Sequence, residues 1–323
     1  MVVKKERNIA IDVLKFIAAI LITNSHMGIL YEKYDELATG GAIGDVLFFF
    51  CSGFTLFLSR SVRFDNWYKR RINRIYPTIF AWAILSAFIF DMNMGMDYII
   101  IHGGGWFVTC IMIYYIVLYF IQRFLIGKLW MVFGIVSLIC VIWYILLDKP
   151  DDYNIYGETY FKWGHYFLFM LLGAIMGLGS GKNNWGVIKN TIFLFISIVV
   201  YYLILLVGRL YPAYNDLQII SILPLLSITY FCYNTCSCNK VINIYKSNIG
   251  GWIIKFIGGL CLEIYIVQGV FLNDKFNCIF PFNILFVFII IVFAAYILRC
   301  CSRIFAQTFK DAEYNWKEIF KMV

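Results

Sequence analysis

Charge is scarce in this sequence. Asp, Glu, Lys and Arg make up 14% of its 323 residues, whereas a soluble domain carries about a quarter. Apolar residues reach 62% and mean hydropathy is +0.79. This balance excludes a soluble globular domain and predicts a polytopic membrane protein. Other features are missing too. No small-residue cleavage site follows the leading MVVKKERN. The segment behind it is too long and too polar for a cleaved signal peptide, so the first helix is expected to be retained. Most of the ten cysteines sit within apolar spans, such as Cys51, Cys110, Cys140 and Cys261, and read as small buried hydrophobes. Cys232, Cys236 and Cys238 cluster without the second ligand pair a zinc site needs, so no metal is expected. The glycine run of HGGGWF, residues 102–107, lacks the lysine that follows a phosphate-cradling loop. No internal repeat and no low-complexity tail are visible.

What is present is a series of apolar stretches, each near the 20 residues or so that cross a bilayer. About ten transmembrane helices are legible: 9–31, 43–59, 75–91, 106–124, 129–147, 163–179, 187–207, 217–233, 252–272 and 282–305. They leave nothing over for a second domain, so residues 1–323 are expected to form one all-α membrane domain. Basic residues concentrate on the cytoplasmic side of membrane proteins. With both the N- and C-termini cytoplasmic, 21 of the 27 basic residues fall on inner segments, while the outer loops carry Glu32, Asp35 and Glu36, then Asp148, Asp151, Asp152 and Glu158. A miscount by one span would scramble this asymmetry. The net charge of +8 is mostly this bias, so it points to membrane lipid and calls for no nucleic-acid partner.

The most informative residues lie in the first span. Lys15 and His26 are eleven positions apart, which is three helical turns plus roughly 20°. They therefore share one face, and Asp12 joins the same stripe. Ionisable groups inside a membrane helix are costly and usually face a protein interior or a water-filled cavity. His26 falls in the outer part of the bilayer. Asp45, at the start of the antiparallel second span, falls at similar depth and could meet it; a carboxylate orienting an imidazole makes a general base. A structural histidine bonded to a neighbouring helix is the alternative. The stretch 60–74 holds six basic residues between the second and third spans. It reads either as a topology and lipid-binding signal or as a phosphate site, with Arg71 and Arg74 presenting two guanidiniums on one helix face. Pro77 follows and either kinks or starts the third span. Glu263, in mid-span, needs a partner, for which Lys15 and the inner arginines are candidates. Gln268 falls near the depth of His26. His102 and His165 read as residues of the outer loop and interface, and Trp106 as an interfacial anchor.

In their order and spacing these pieces resemble the acyltransferase-3 family of integral-membrane O-acyltransferases. The family's basic residue and histidine of the first helix correspond to Lys15 and His26, and its preceding acidic residue to Asp12. A second-helix phrase of the form LFFxxSGF is matched by Leu47 to Phe54, including Ser52. An Arg-x-x-Arg before a proline is matched by Arg71, Arg74 and Pro77, and a Trp-Phe pair by Trp106 and Phe107. A late LxIYLxH phrase is matched by LEIYIVQ, with Glu263, Tyr265 and Gln268. Two positions depart: Gln268 stands where a histidine is common, and Asp45 is shifted by one residue from the family's usual aspartate.

The resemblance implies a stand-alone O-acyltransferase, without an extracytoplasmic hydrolase-like domain, in the cytoplasmic membrane of a bacterium. It would move an acyl group, acetyl by preference, from acetyl-CoA to a hydroxyl of a surface glycan or its lipid-linked precursor. His26, Asp45 and Lys15 would serve the chemistry, Arg70, Arg71 and Arg74 the CoA phosphates, and Asp12, Ser52, Trp106, Glu263, Tyr265 and Gln268 would support them. The rival is a proton-coupled transporter or flippase of a lipid-linked glycan, using the same intramembrane charges. Such proteins often show two related halves, which are absent here.

Overall fold

Lipid offers a backbone no hydrogen-bond partners, so a chain this apolar must satisfy its own, and helices do so within one segment. The structure, a computed structural model, describes residues 8–57, 63–92, 94–150, 153–179 and 185–323. Among these residues there is no strand. The helices are α1 (Ile9–His26), α2 (Gly41–Phe57), α3 (Phe64–Phe90), α4 (Met96–His102), α5 (Gly105–Phe124), α6 (Leu129–Leu146) and α7 (Phe161–Gly177). There follow α8 (Val187–Leu210), α9 (Ile222–Cys236), α10 (Asn239–Lys246), α11 (Asn248–Gly259), α12 (Cys261–Phe271), α13 (Phe282–Thr308) and α14 (Trp316–Ile319).

The protein is all-α and polytopic. Each of the ten expected spans coincides with a helix or a helix pair. Eight helices among the described residues are long and apolar enough to cross a membrane, and α11 with α12, bent by 72°, would make a ninth. The remaining one, α7, has 17 residues, the lower end of what crosses a bilayer. Several boundaries differ from expectation, and α1 ends at His26 rather than near residue 31. The third helix starts at Phe64 rather than near residue 75, so the arginine-rich segment is helical and Pro77 lies inside α3. Asp65 in the first turn suits the positive end of the helix dipole, and a proline inside a membrane helix is tolerated when its surroundings re-satisfy the freed carbonyl. The loop ahead of α5 contains a short helix, α4, ending in an exposed His102.

The chain forms two compact units, each drawn from three stretches. Unit 1 takes the described residues of Met1–Ala18, Ala42–Arg60 and Leu125–Ile254; unit 2 takes those of Ala19–Gly41, Ser61–Phe124 and Lys255–Val323. The division falls within α1.

In unit 1, α2 crosses α7 at backbone contact. A Cβ on Gly53 would overlap the Met170 carbonyl, and one on Gly173 would overlap the Phe50 carbonyl. Gly177, one turn past Gly173, meets Phe54 in the same way. Small residues at such spacing let membrane helices approach closely and gain dispersion contact, since lipid provides no hydrophobic drive between them. The Ser-Gly-Phe of α2 is therefore a packing motif, with Phe50 and Phe54 set around Tyr233 at ring distances of 5.5 and 5.4 Å.

In unit 2, the two longest helices, α3 and α13, pack together and share a hydrogen bond between the Thr78 and Ser302 hydroxyls at 3.0 Å. The Trp67 indole donates to the Tyr115 carbonyl at 3.1 Å, tying α3 to α5. A buried Trp commonly needs such a partner.

Candidate active site

His26 is the last residue of α1. The chain behind it is pinned rather than loose. Asn24 donates to the carbonyls of Leu37 and Thr39, both at 2.9 Å, and accepts from the Tyr31 hydroxyl at 2.5 Å. Asn283 of α13 donates to the Leu30 carbonyl at 2.8 Å, and Asn277 to that of Ile29 at 2.9 Å. Gly40 closes the turn with φ +98°, a conformation other residues rarely adopt. These bonds hold residues 27–40 folded while the His26 side chain stays exposed. An accessible imidazole on a fixed helix end is what proton transfer to or from a substrate hydroxyl requires.

The arginine cluster also lies in unit 2. Arg70 and Arg74 are exposed and Arg71 is half-buried. The Arg71 guanidinium sits 4.8 Å from the Trp67 ring centre and 5.6 Å from that of Tyr115, and its buried Nε has no hydrogen-bond partner. Stacking on aromatic faces holds a guanidinium without consuming its donors. The spacing of Trp67 and Arg71, one helical turn apart, was legible once α3 is known to begin at Phe64.

Glu263 is bound by Arg299 of α13, one of the arginines expected on the inner side. Nε donates to Oε1 at 3.2 Å and a terminal nitrogen to Oε2 at 3.0 Å. The same guanidinium donates to the Gly259 carbonyl, exposed where α11 gives way to α12. One arginine thus serves the bend and the buried carboxylate together. Tyr265, on α12, reaches the start of α5. Gly105 there has φ +64°, and a Cβ on it would come 2.8 Å from the Tyr265 hydroxyl; Phe107 lies 5.7 Å from the Tyr265 ring. The glycine run thus gives close approach for a tyrosine. Trp106, beside Phe107, is half-buried. Gln268 is 4% exposed, with its Oε1 unpartnered.

Unit 1 holds the other expected residues. Asp12 is buried and accepts from the Tyr245 hydroxyl of α10 at 2.6 Å. Lys15 and Ser52 are half-buried. Asp45 is half-buried and accepts from the Tyr166 hydroxyl of α7 at 3.3 Å. Sequence reasoning missed several neighbours. Lys162, expected in an outer segment, is a buried cation of α7. His165, expected as an interfacial residue, is wholly buried, with Nε2 3.3 Å from the Ile155 carbonyl and Nδ1 unpartnered. Helix α7 begins at Phe161 and packs on α2 through its glycines, which draws its first turns inside. Tyr245 carried no signal in the sequence.

Among the described residues, no group of His, Cys, Asp and Glu side chains is placed to hold a metal ion. A family model, the acyltransferase domain of the acyltransferase-3 family (Acyl_transf_3), matches residues 8–300 and so spans both units. No curated protein and no solved structure matches the chain.

Proposed function

The chain belongs to the acyltransferase-3 family and is an integral-membrane acyltransferase, and from that premise we propose that it moves an acetyl group from acetyl-CoA to a hydroxyl of a surface glycan or its lipid-linked precursor, in the cytoplasmic membrane of a bacterium. The observation that carries the donor side is Arg71. Its guanidinium lies over the Trp67 and Tyr115 rings, beside the exposed Arg70 and Arg74. Three guanidiniums on the first turns of α3 suit the several phosphate oxygens of CoA, because planar forks pair with them bidentately.

On the acceptor side His26 takes the hydroxyl proton as the oxygen attacks the thioester carbonyl. The C–S bond breaks, the acyl group passes to oxygen, and the CoA thiolate takes up a proton. Lys15 and Asp45 of unit 1 are the further charged residues assigned to acyl transfer. Glu263, Tyr265 and Gln268 shape unit 2 around it. The test is direct: purified protein in liposomes, given radiolabelled acetyl-CoA and envelope glycan extracted from the source cells, transfers label to the glycan. A transporter of lipid-linked glycan leaves the glycan unlabelled, and that result overturns the reading.

A further inference from the structure

Unit 1 contains a buried polar clamp. Lys162 and Tyr166, four residues apart, share one face of the start of α7, and Glu158 lies in the turn just before it. The Lys162 side chain is 3% exposed, and its ammonium lies 3.1 Å from Oε1 of Glu158, which is 91% exposed. Lys162 lies about one helical turn before Tyr166, whose hydroxyl donates to Oδ2 of Asp45 on α2 at 3.3 Å. Tyr166 itself is buried between Phe49, at a ring distance of 5.5 Å, and His165, at 4.5 Å. Tyr156, another neighbour of His165, is hydrogen-bonded to Ser221.

Helix packing does not require this clamp. The α2–α7 contact is already made by backbone at Gly53, Gly173 and Gly177. A buried ion cluster is a poor way to add stability, since desolvation offsets most of its attraction. The clamp's geometry is also directional: one carboxylate oxygen of Asp45 is tied to Tyr166, and Asp45 keeps accessible surface.

We propose that Tyr166 and Lys162 are positioning residues that hold the Asp45 carboxylate in a single orientation, leaving Oδ1 for the reacting groups. The inference rests on Asp45 taking part in acyl transfer. Lys162, anchored outward by Glu158, supplies the counter-charge, and the Tyr166 hydroxyl fixes the rotamer. The sequence reading placed on α2 a carboxylate that supports a general base; the clamp holds that carboxylate in one orientation.

The experiment measures kcat and KM for acetyl-CoA in liposomes, with the extracted envelope glycan as acceptor. Tyr166→Phe removes one hydroxyl and keeps the ring. It is expected to lower kcat about 10-fold, the scale of a small misplacement of a reacting group, with KM and melting temperature unchanged. Lys162→Met lowers kcat further and Lys162→Arg restores most of it. In an Asp45→Asn background, Tyr166→Phe costs nothing more, because groups acting as a unit are not additive. If Tyr166→Phe retains wild-type kcat, or lowers it by the same factor with and without Asp45→Asn, the inference fails while the role of Asp45 stands. If Asp45→Asn itself retains wild-type kcat, both fail. Should Lys162→Met not fold, Tyr166→Phe and its cycle with Asp45→Asn decide the matter alone.

Discussion

In the proposed reaction His26 accepts the proton of the acceptor hydroxyl, which an imidazole can do near neutral pH. His26→Ala is expected to insert and bind acetyl-CoA normally while losing about 10²–10⁴-fold in transfer. His26→Gln keeps size and hydrogen bonding but takes no proton, so it should be as inactive. Because the base must start unprotonated, the rate is expected to fall at low pH as the imidazole takes up a proton. Near-normal transfer by His26→Gln would return this residue to a structural role. Arg71 calls for a different readout. Loss of a charge-assisted contact of about 1.5–3 kcal/mol should raise KM for acetyl-CoA by about 10-fold or more in Arg71→Ala. Arg71→Lys recovers only part, since an ammonium lacks both the fork and the stack on Trp67 and Tyr115. An unchanged KM in correctly inserted protein would leave the cluster as a topology signal. Glu263 and Arg299 form a buried pair, with side chains 8% and 16% exposed. Removing either partner strands a charge, at about 3–5 kcal/mol. Glu263→Gln with Arg299→Met should melt above either single variant, and additive losses would show that the two are independent.

Helix pairs in this chain are held by shape as much as by polar bonds. The crossing of α2 and α7 depends on Gly53, Gly173 and Gly177, so Gly53→Leu must push the helices apart. Overpacking of about 1–3 kcal/mol is expected, read as a lower melting temperature with a thiol-reactive dye. Gly134 of α6 is the control: a Cβ there meets nothing within 4 Å, so Gly134→Leu should leave the melting temperature unchanged. Equal melting of the two variants would refute the packing role of Gly53. The bend between α11 and α12 has another logic. Breaking a helix frees carbonyls that lipid leaves unsatisfied, and Arg299 supplies a donor to Gly259 there. This explains why a basic residue near the inner end of α13 does more than mark topology.

For the whole molecule the decisive prediction is its orientation in the membrane. In a cysteine-free background, single probes at the exposed Asp35 should label from outside, and those at Asn66 and Asn243 from inside. Asp151, a further outer position in the sequence reading, lies outside the described residues. Outside labelling at Asn66 would overturn the topology and, with it, the assignment of the α3 arginines to the CoA side. The proposed site residues are divided: His26, the arginines, Trp106, Glu263, Tyr265 and Gln268 belong to unit 2, whereas Asp12, Lys15, Asp45 and Ser52 belong to unit 1.

The sequence by itself determined that the chain is an all-α membrane protein, roughly where each helix lies, and which family it belongs to. Each of these follows from local composition: a 20-residue apolar run, a charge bias between loops, and short phrases in a set order. It also singled out His26 and the arginines, because ionisable groups stand out against 62% apolar residues. The start of α3 was misread because charged residues of good helical propensity look like a loop beside an apolar run. Partners were beyond its reach. That Arg299 rather than another cation binds Glu263, that Tyr245 binds Asp12, and that Lys162, His165 and Tyr166 are buried near Asp45 depend on which helices touch and on their rotation about their axes. Those are set by the fit of surfaces far apart in the chain, above all the glycine contact of α2 with α7, and a hydroxyl 121 positions from its carboxylate leaves no local mark in the sequence.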